Sequence, residues 1–272
     1  MSPCPGRPMV GVLLAAGAGR RLGRGPKALL SLENPLSLEN QQGGRPLVAT
    51  SATALLRGGC DEVVVVVGAS GQRVREALDR ALAGTPEQGR CRVVVNPHWE
   101  TGMGSSFRAG IAAADRILSA PESPESPESP AALTAPAALT APGAPDGVVM
   151  LALVDQPDIG AAVVAHLLRA AAGPGTAAGQ TAGRRVTAAG FPDGQGRLVR
   201  GHPLVFPLHL AREAAAVAAG DAAGRVWLRA HPEAVEVLDV SHLATGRDLD
   251  TPADLHRWTR LETAEGSRGV RT

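Results

Sequence analysis

Tyrosine is absent from this 272-residue sequence, and Phe and Trp contribute only three residues each. So few rings cannot carry a core, which must instead be built from Ala, Val and Leu. Cysteine is scarce as well. Cys4, Cys60 and Cys91 stand far apart and form no CxxC pair, which argues against a disulfide scaffold or a zinc site and predicts a reduced, cytoplasmic setting. Net charge is nearly missing, at +1. No global field then draws the chain to nucleic acid or a membrane surface, and any anion site must be local. No apolar run approaches the roughly 20 residues of a membrane helix. Arg7 followed by the apolar run 10–16 imitates a leader peptide, but the run is short, breaks into glycines and ends on Arg20 and Arg21.

The rarest basic residue is lysine. Of 27 Lys and Arg residues, only Lys27 is a lysine. In a chain so rich in Arg, Ala, Gly and Pro, an exchangeable lysine is expected to give way to arginine. Lysine is a compact point charge on a flexible stem, and a guanidinium does not always copy it. Lys27 also adjoins a glycine-rich loop, which makes it a first candidate for chemistry.

What is present in quantity is an alternation of strand and helix. The β-branched apolar runs 10–14, 63–67, 93–95 and 148–154 predict buried strands. Helical patterns lie near 47–57, 72–82, 106–118 and 161–171. Buried strands separated by helices predict an α/β fold with a mostly parallel sheet and helices on both faces. Strand-like runs at 186–190, 198–206 and 235–240, with two helices, predict a mixed-strand C-terminal part that supplies the second substrate's side of a cleft. We expect one domain over 9–262, with flexible tails at 1–8 and 263–272. Two stretches read as insertions. Residues 31–40 double the word SLEN, and residues 119–146 carry PES repeats, a doubled AALTAP and seven prolines, a composition that buries no face.

Four constellations carry candidate chemistry. The first, Leu14-Ala15-Ala16-Gly17-Ala18-Gly19-Arg20-Arg21-Leu22-Gly23-Arg24-Gly25-Pro26-Lys27, directly follows the first strand. Glycines let backbone N–H groups approach an anion, and the stretch 20–27 holds four cations and no acid, as a triphosphate cradle requires. It is not a P-loop, because Ala28 follows Lys27 and places no hydroxyl for Mg²⁺. It is not a dinucleotide fingerprint either, because Leu22 stands where GxGxxG needs its last glycine. The second, Asp155-Gln156-Pro157-Asp158, follows the fourth strand. There Asp155 is placed to hold Mg²⁺ against phosphate oxygens, and Asp158 is expected to cap the next helix. The third, Asn96-Pro97-His98-Trp99-Glu100-Thr101-Gly102-Met103-Gly104-Ser105-Ser106, opens a helix with Ser105 and Ser106 as donors or as its cap. The fourth, Arg247-Asp248-Leu249-Asp250-Thr251-Pro252-Ala253-Asp254, offers Asp250 or Asp248 as a second metal ligand, with Thr251 and Asp254 as a helix start. Gly201-His202-Pro203 and Gly220-Asp221-Ala222-Ala223-Gly224-Arg225 are either contacts for a second substrate or plain turns.

Taken together and in order, LAAGAGRRLG with its following lysine, NPHWETGMGSS, LVDQPD, GHPLVF, GDAAGR and DLDTPADL resemble the MobA-like NTP transferases over roughly residues 9–258. Within that family the pattern is most similar to the molybdenum cofactor cytidylyltransferases. The resemblance implies a Rossmann-like nucleotidyltransferase fold, Mg²⁺, and transfer of CMP from CTP to the phosphate of molybdopterin with release of pyrophosphate. It implies nucleotide contacts from Leu14, Ala15, Ala16, Gly17, Gly19, Gly23, Lys27, Ser105 and Ser106. Arg20, Arg21, Lys27 and Asp155 would act in catalysis, Asp155 and Asp250 would hold the metal, and His202, Asp221 and Arg225 would meet the second substrate. A molybdenum hydroxylase would receive the product. Guanylyl-transferring relatives read LAGG where this chain has Leu14-Ala15-Ala16-Gly17, which points to CTP over GTP. Transfer onto another small phosphate, such as a sugar phosphate, uses the same machinery and stays open, as does a nucleotide-binding partner protein without turnover. The chain departs from the pattern at Ala222-Ala223 and at the insertion after Leu30.

Overall fold

A computed structural model describes residues 7–31, 44–120, 147–173 and 185–258. Cys4, nearly all of the doubled SLEN, the bulk of the proline-rich insertion and most of the predicted tails lie outside the described residues. Seven strands form one sheet: β1 (Met9–Ala15), β2 (Glu62–Val67), β3 (Cys91–Val95), β4 (Val148–Leu153), β5 (Val186–Pro192), β6 (Leu198–Pro207) and β7 (Val235–Asp239). The main helices are α1 (Leu47–Gly58), α2 (Gly71–Leu82), α3 (Met103–Leu118), α4 (Ala161–Ala172), α5 (Leu208–Ala216) and α6 (Arg225–Ala230).

The sheet order is β3-β2-β1-β4-β6-β5-β7. β1 pairs in parallel with β2 on one side and β4 on the other, so that Leu13 lies between Val65 and Ala152. β6 runs antiparallel to both β4 and β5, while β5 and β7 are parallel to each other. The expected mixed C-terminal part therefore reduces to one reversed strand in an otherwise parallel sheet. The reversal arises at the Asp193–Arg197 turn, where the Asp193 carboxylate accepts the N–H groups of Gln195 and Arg197 at 2.8 and 2.9 Å.

Alternation along the strands distributes the core to both faces. Met9, Leu13 and Ala15 of β1 face the layer of α1, α2 and α4, whereas Val10, Val12 and Leu14 face α3, α5 and α6. All five valines of β2 are buried, as a strand covered on both sides requires. Aliphatic packing does most of the work, with Phe107 and Phe206 adding one tilted ring pair at 6.3 Å. Gly110 lets α3 lie close on the sheet, because a Cβ there would come within 2.5 Å of the Val12 side chain.

The chain leaves β1 toward β2 and β3, then returns to place β4 on the opposite side of β1. That reversal of direction opens a crevice beyond the carboxyl ends of β1 and β4, where open α/β sheets bind ligands. Both the glycine loop and Asp155 emerge at this crevice.

Candidate active site

The loop after β1 folds back on itself. Leu22 and Gly23 donate their N–H groups to the Gly19 carbonyl, each at 3.1 Å, and Leu22 is buried as the anchor. Gly19 has φ +66°, and a Cβ on it would lie 1.9 Å from the Gly25 carbonyl oxygen. No side chain fits there. Leu14, Ala15 and Ala16 are buried, while Gly17 and Gly23 are exposed at the loop surface. Arg20 reaches away from the loop to Glu100 at 3.2 Å and lies over the Trp99 ring at 5.8 Å.

Lys27 opens a short 3-10 turn, Lys27–Leu29, and extends into the crevice. Its Nζ donates to Asp155 Oδ2 at 2.8 Å and to Asp250 Oδ1 in a still closer contact. Arg21 reaches the other oxygen of Asp250 at 3.4 Å but is largely exposed. Burial works against the Lys27 charge, yet Asp155 and Asp250 outweigh it and hold the ammonium above the usual lysine range. Two carboxylates from loops that are distant in sequence thus converge on one cation.

The backbone fixes that convergence. The Asp155 carbonyl accepts the Leu249 N–H at 2.8 Å, locking the 248–250 segment beside β4. Gln156 is buried and donates to the Gly246 carbonyl at 3.2 Å and to Asp248 at 3.0 Å. Asp158 does not cap α4, whose N-cap is Gly160 without a side-chain bond. Its Oδ2 instead accepts the Thr245 hydroxyl at 2.6 Å and the Gly246 N–H at 3.2 Å, tying the two loops together. Thr251 and Asp254 form the expected reciprocal start of a helix at 252–258, with the Thr251 N–H on Asp254 at 2.8 Å.

Ser105 is not the N-cap of α3; Gly102 occupies that position. The Ser105 and Ser106 hydroxyls accept from buried Asn96 at 2.8 and 3.0 Å, and Ser105 also donates to the carbonyls of His98 and Gly102. They hold the β3–α3 connection, with both side chains buried.

On the far side of β4 lies a pocket of about 530 Å³. Leu14, Leu153, Phe191, Leu204 and Leu228 give it apolar walls, and Gln156, Asp193, Arg200, His202, Arg225 and Asp248 are its polar lining. Its enclosed site pushes His202 down to about 4, first by burial, against the pull of Asp155 and with the push of Arg200 and Arg225. The imidazole is therefore neutral near pH 7. Asp221 is exposed on the 3-10 turn Gly220–Ala222 and does not line this pocket, although Ala222 to Arg225 do.

Sequence reasoning passed over Gln156 as a clamp, Asn96 as the tie of the serines, and Arg200. Gln156 and Asn96 stand inside quoted motifs, so their polarity at strand ends was the available signal. Arg200 directly precedes Gly201-His202-Pro203.

A nucleotide-type crevice and a two-carboxylate cation site share one mouth, and residues 11–235 match the MobA-like NTP transferase domain. The chain belongs to the MobA-like NTP transferase family. It is an enzyme of the nucleotidyltransferase type, as that family implies. It is 36% identical over 257 residues to nicotine blue oxidoreductase of Paenarthrobacter nicotinovorans, across 94% of this chain and 96% of the relative. A nucleotidyl transferase from Methanothermobacter thermautotroptrophicus shares the fold, with a TM-score of 0.59 at 20% identity over 96% of this chain and all of that one. So does a Mycobacterium tuberculosis H37Rv protein solved in complex with manganese, with a TM-score of 0.51 at 22% identity over 93% of this chain and 98% of that one.

Proposed function

We propose that the protein transfers CMP from CTP to the phosphate of molybdopterin, releasing pyrophosphate. The observation that carries this reading is Lys27 held between Asp155 and Asp250 after the glycine loop, with Gln156 and Asp248, the near neighbours of those two carboxylates in the chain, lining the apolar pocket. The loop would take the nucleotide and the pocket the acceptor, so the reacting phosphates meet at that point.

In the reaction, an oxygen of the acceptor phosphate attacks the α-phosphorus of CTP. The bond from that phosphorus to the bridging oxygen breaks, and pyrophosphate leaves with the electron pair. The attacking phosphate monoester is already anionic at pH 7, so no general base is needed. Placement and charge neutralisation dominate the barrier for joining two anions. Gly17 and Gly19 would present backbone N–H groups to the triphosphate, with Gly23 closing the loop onto the Gly19 carbonyl. Arg21 and Lys27 would neutralise charge that builds on the leaving pyrophosphate, with Arg20 able to swing in from Glu100. Leu14, Ala15 and Ala16 would face the base, and Ala16 adds a methyl that narrows the space for guanine. Ser105 and Ser106, bonded to Asn96, would act on this site only through the β3–α3 connection they hold.

The donors present suit a divalent cation. Asp155 and Asp250 are hard oxygen ligands that already converge on a cationic group, the ammonium of Lys27. Among the described residues no three His, Cys, Asp or Glu side chains form a fuller cage. Mg²⁺ typically binds one or two carboxylates and completes its shell with phosphate oxygens and water. When bound, Mg²⁺ would supply Lewis-acid polarisation of the α-phosphate. The solved relative with manganese is in keeping with a divalent ion. The product would pass to a molybdenum hydroxylase. Among the described residues no helix is long and apolar enough to cross a membrane.

A second reading comes from the 36% identical relative named as an oxidoreductase acting on nicotine blue. An apolar pocket of this size also accommodates a flat dye. The two readings separate in one set of assays. Pyrophosphate release from each NTP is measured with Mg²⁺, with and without molybdopterin, beside oxidation of NADPH in the presence of nicotine blue. Acceptor-dependent pyrophosphate release supports nucleotidyl transfer; dye-dependent NADPH oxidation without it supports the second reading.

A further inference from the structure

Most arginines in contact with their surroundings meet an acid or a carbonyl. Arg57 pairs with Glu87, Arg92 with Glu62, Arg197 with Asp193 and Arg212 with Asp115. Three arginines at or beside the apolar pocket meet no acid. Arg200, near the middle of β6, and Arg225, the first residue of α6, both line the pocket. Arg229 lies four residues after Arg225 on the same side of that helix, exposed and outside the pocket lining. Arg225 has a single hydrogen bond, to the Asp221 carbonyl at 3.1 Å. Among the described residues, the side chains of Arg200 and Arg229 have no hydrogen bond or ion pair.

Neither acid of the pocket pairs with these arginines. Asp193 binds Arg197 at 2.9 Å and two backbone N–H groups, and Asp248 accepts from Gln156. No acid pairs with any of the three, and burial, with the charges of Arg229 and Arg225 nearby, lowers Arg200 from the usual arginine range. Such a cluster costs folding free energy. A ligand anion would offset it.

Much of the remaining wall is apolar, with Met103 and Val199 at 40% and 49% exposure. His202 stands between two fields, attracted by Asp155 and repelled by Arg200 and Arg225. Arg200 and Arg225 line the pocket, whereas Lys27, Asp155 and Asp250, where phosphate chemistry is placed, stand outside its lining. We propose that Arg200 and Arg225, with Arg229 adding its charge from outside the lining, form an anion subsite within the acceptor pocket, so that its ligand is an apolar ring body carrying an acidic group apart from the phosphate that reacts. That the ligand is the acceptor rests on the function proposed above; the subsite itself does not.

The test uses two dyes of the same shape on the whole protein. Anilinonaphthalene sulfonate carries a ring body and an anion, and N-phenylnaphthylamine carries the rings alone. Fluorescence titration should show one saturable sulfonate site per chain. Arg200→Gln with Arg225→Gln should weaken the sulfonate about tenfold or more while changing the neutral dye less than twofold. The melting temperature of the double variant should hold or rise, because repulsion is removed. Absence of sulfonate binding to the wild type, unchanged sulfonate affinity in the variant, or equal weakening of both dyes would overturn the proposal. Failure of pyrophosphate release with molybdopterin, beside a charge-selective dye site, would overturn the acceptor assignment and leave the subsite standing.

Discussion

Replacing Lys27 with Met removes the one cation that both Asp155 and Asp250 hold, while keeping most of the side chain's volume. All three groups are largely sheltered, at 14%, 23% and 29% exposure. A pair of unit charges at about 4 Å attracts by roughly 4 kcal/mol at an effective dielectric near 20, and desolvation offsets much of it. A divalent ion entering without nucleotide must displace Lys27, at a cost we take as roughly 1.5–3 kcal/mol, which is about 10- to 100-fold in Kd. Lys27→Met should therefore bind Mn²⁺ about 10- to 100-fold more tightly than wild type in the absence of NTP. Free Mn²⁺ can be counted by electron paramagnetic resonance during titration. Without metal the variant leaves two facing carboxylates, so its melting temperature should fall, and Mn²⁺ should restore it more than it raises that of wild type. Turnover should nevertheless drop by about 10²–10³, since the charge opposite the leaving pyrophosphate is gone. Arg21→Gln is the control. Arg21 is 80% exposed and 3.4 Å from Asp250, so its loss should change Mn²⁺ affinity less than threefold. Equal Mn²⁺ affinity of wild type and Lys27→Met, or wild-type turnover in the variant, would refute the reasoning.

Asp155→Asn should abolish metal-dependent turnover with the fold retained. Asp248→Asn, whose partner Gln156 lies in the acceptor pocket, should raise acceptor KM by several-fold with kcat nearly kept; steady-state kinetics separate the two. Gly19→Ala places a methyl on the Gly25 carbonyl at a positive φ, so nucleotide affinity should fall at least tenfold, read by calorimetric titration. His202 has a folded value of about 4 against about 6.5 unfolded. Between those values only the unfolded chain takes up the proton, so its contribution is fully present above about pH 6.5 and is lost as pH falls toward 4. That contribution is roughly 3 kcal/mol by linkage, and His202→Gln should flatten the corresponding slope in urea unfolding measured across this range.

The elements that read clearly from sequence are those whose composition leaves one solution. Five valines in succession at 63–67 can only be a strand buried on both faces, and the glycines after β1 can only be a loop. The reversed β6 was harder to see, because 198–206 has the same apolar content as a parallel strand and its direction depends on the Asp193–Arg197 turn. Lys27 and Asp155 were each legible from position beside the crevice. Their contact, and that with Asp250, spans 128 and 223 residues and no local pattern encodes it. Asp158 and Ser105 misled for a related reason. Both have the chemistry of a helix cap, yet Thr245 and Asn96, remote or outside the helix, offered better partners. The arginine cluster was invisible because like charges on β6 and α6 meet only once the sheet has formed.

The central claim, nucleotidyl transfer at the Lys27, Asp155 and Asp250 site, is tested most directly by following a label in the α-phosphate of CTP. The protein is incubated with labelled CTP, Mg²⁺ and molybdopterin, and the products are separated. The account predicts that the α-label moves into a molybdopterin product one-for-one with unlabelled pyrophosphate, faster than with GTP, and that Asp155→Asn stops the transfer. No labelled product from any NTP, beside acceptor-dependent hydride transfer from NADPH by the same preparation, would contradict it.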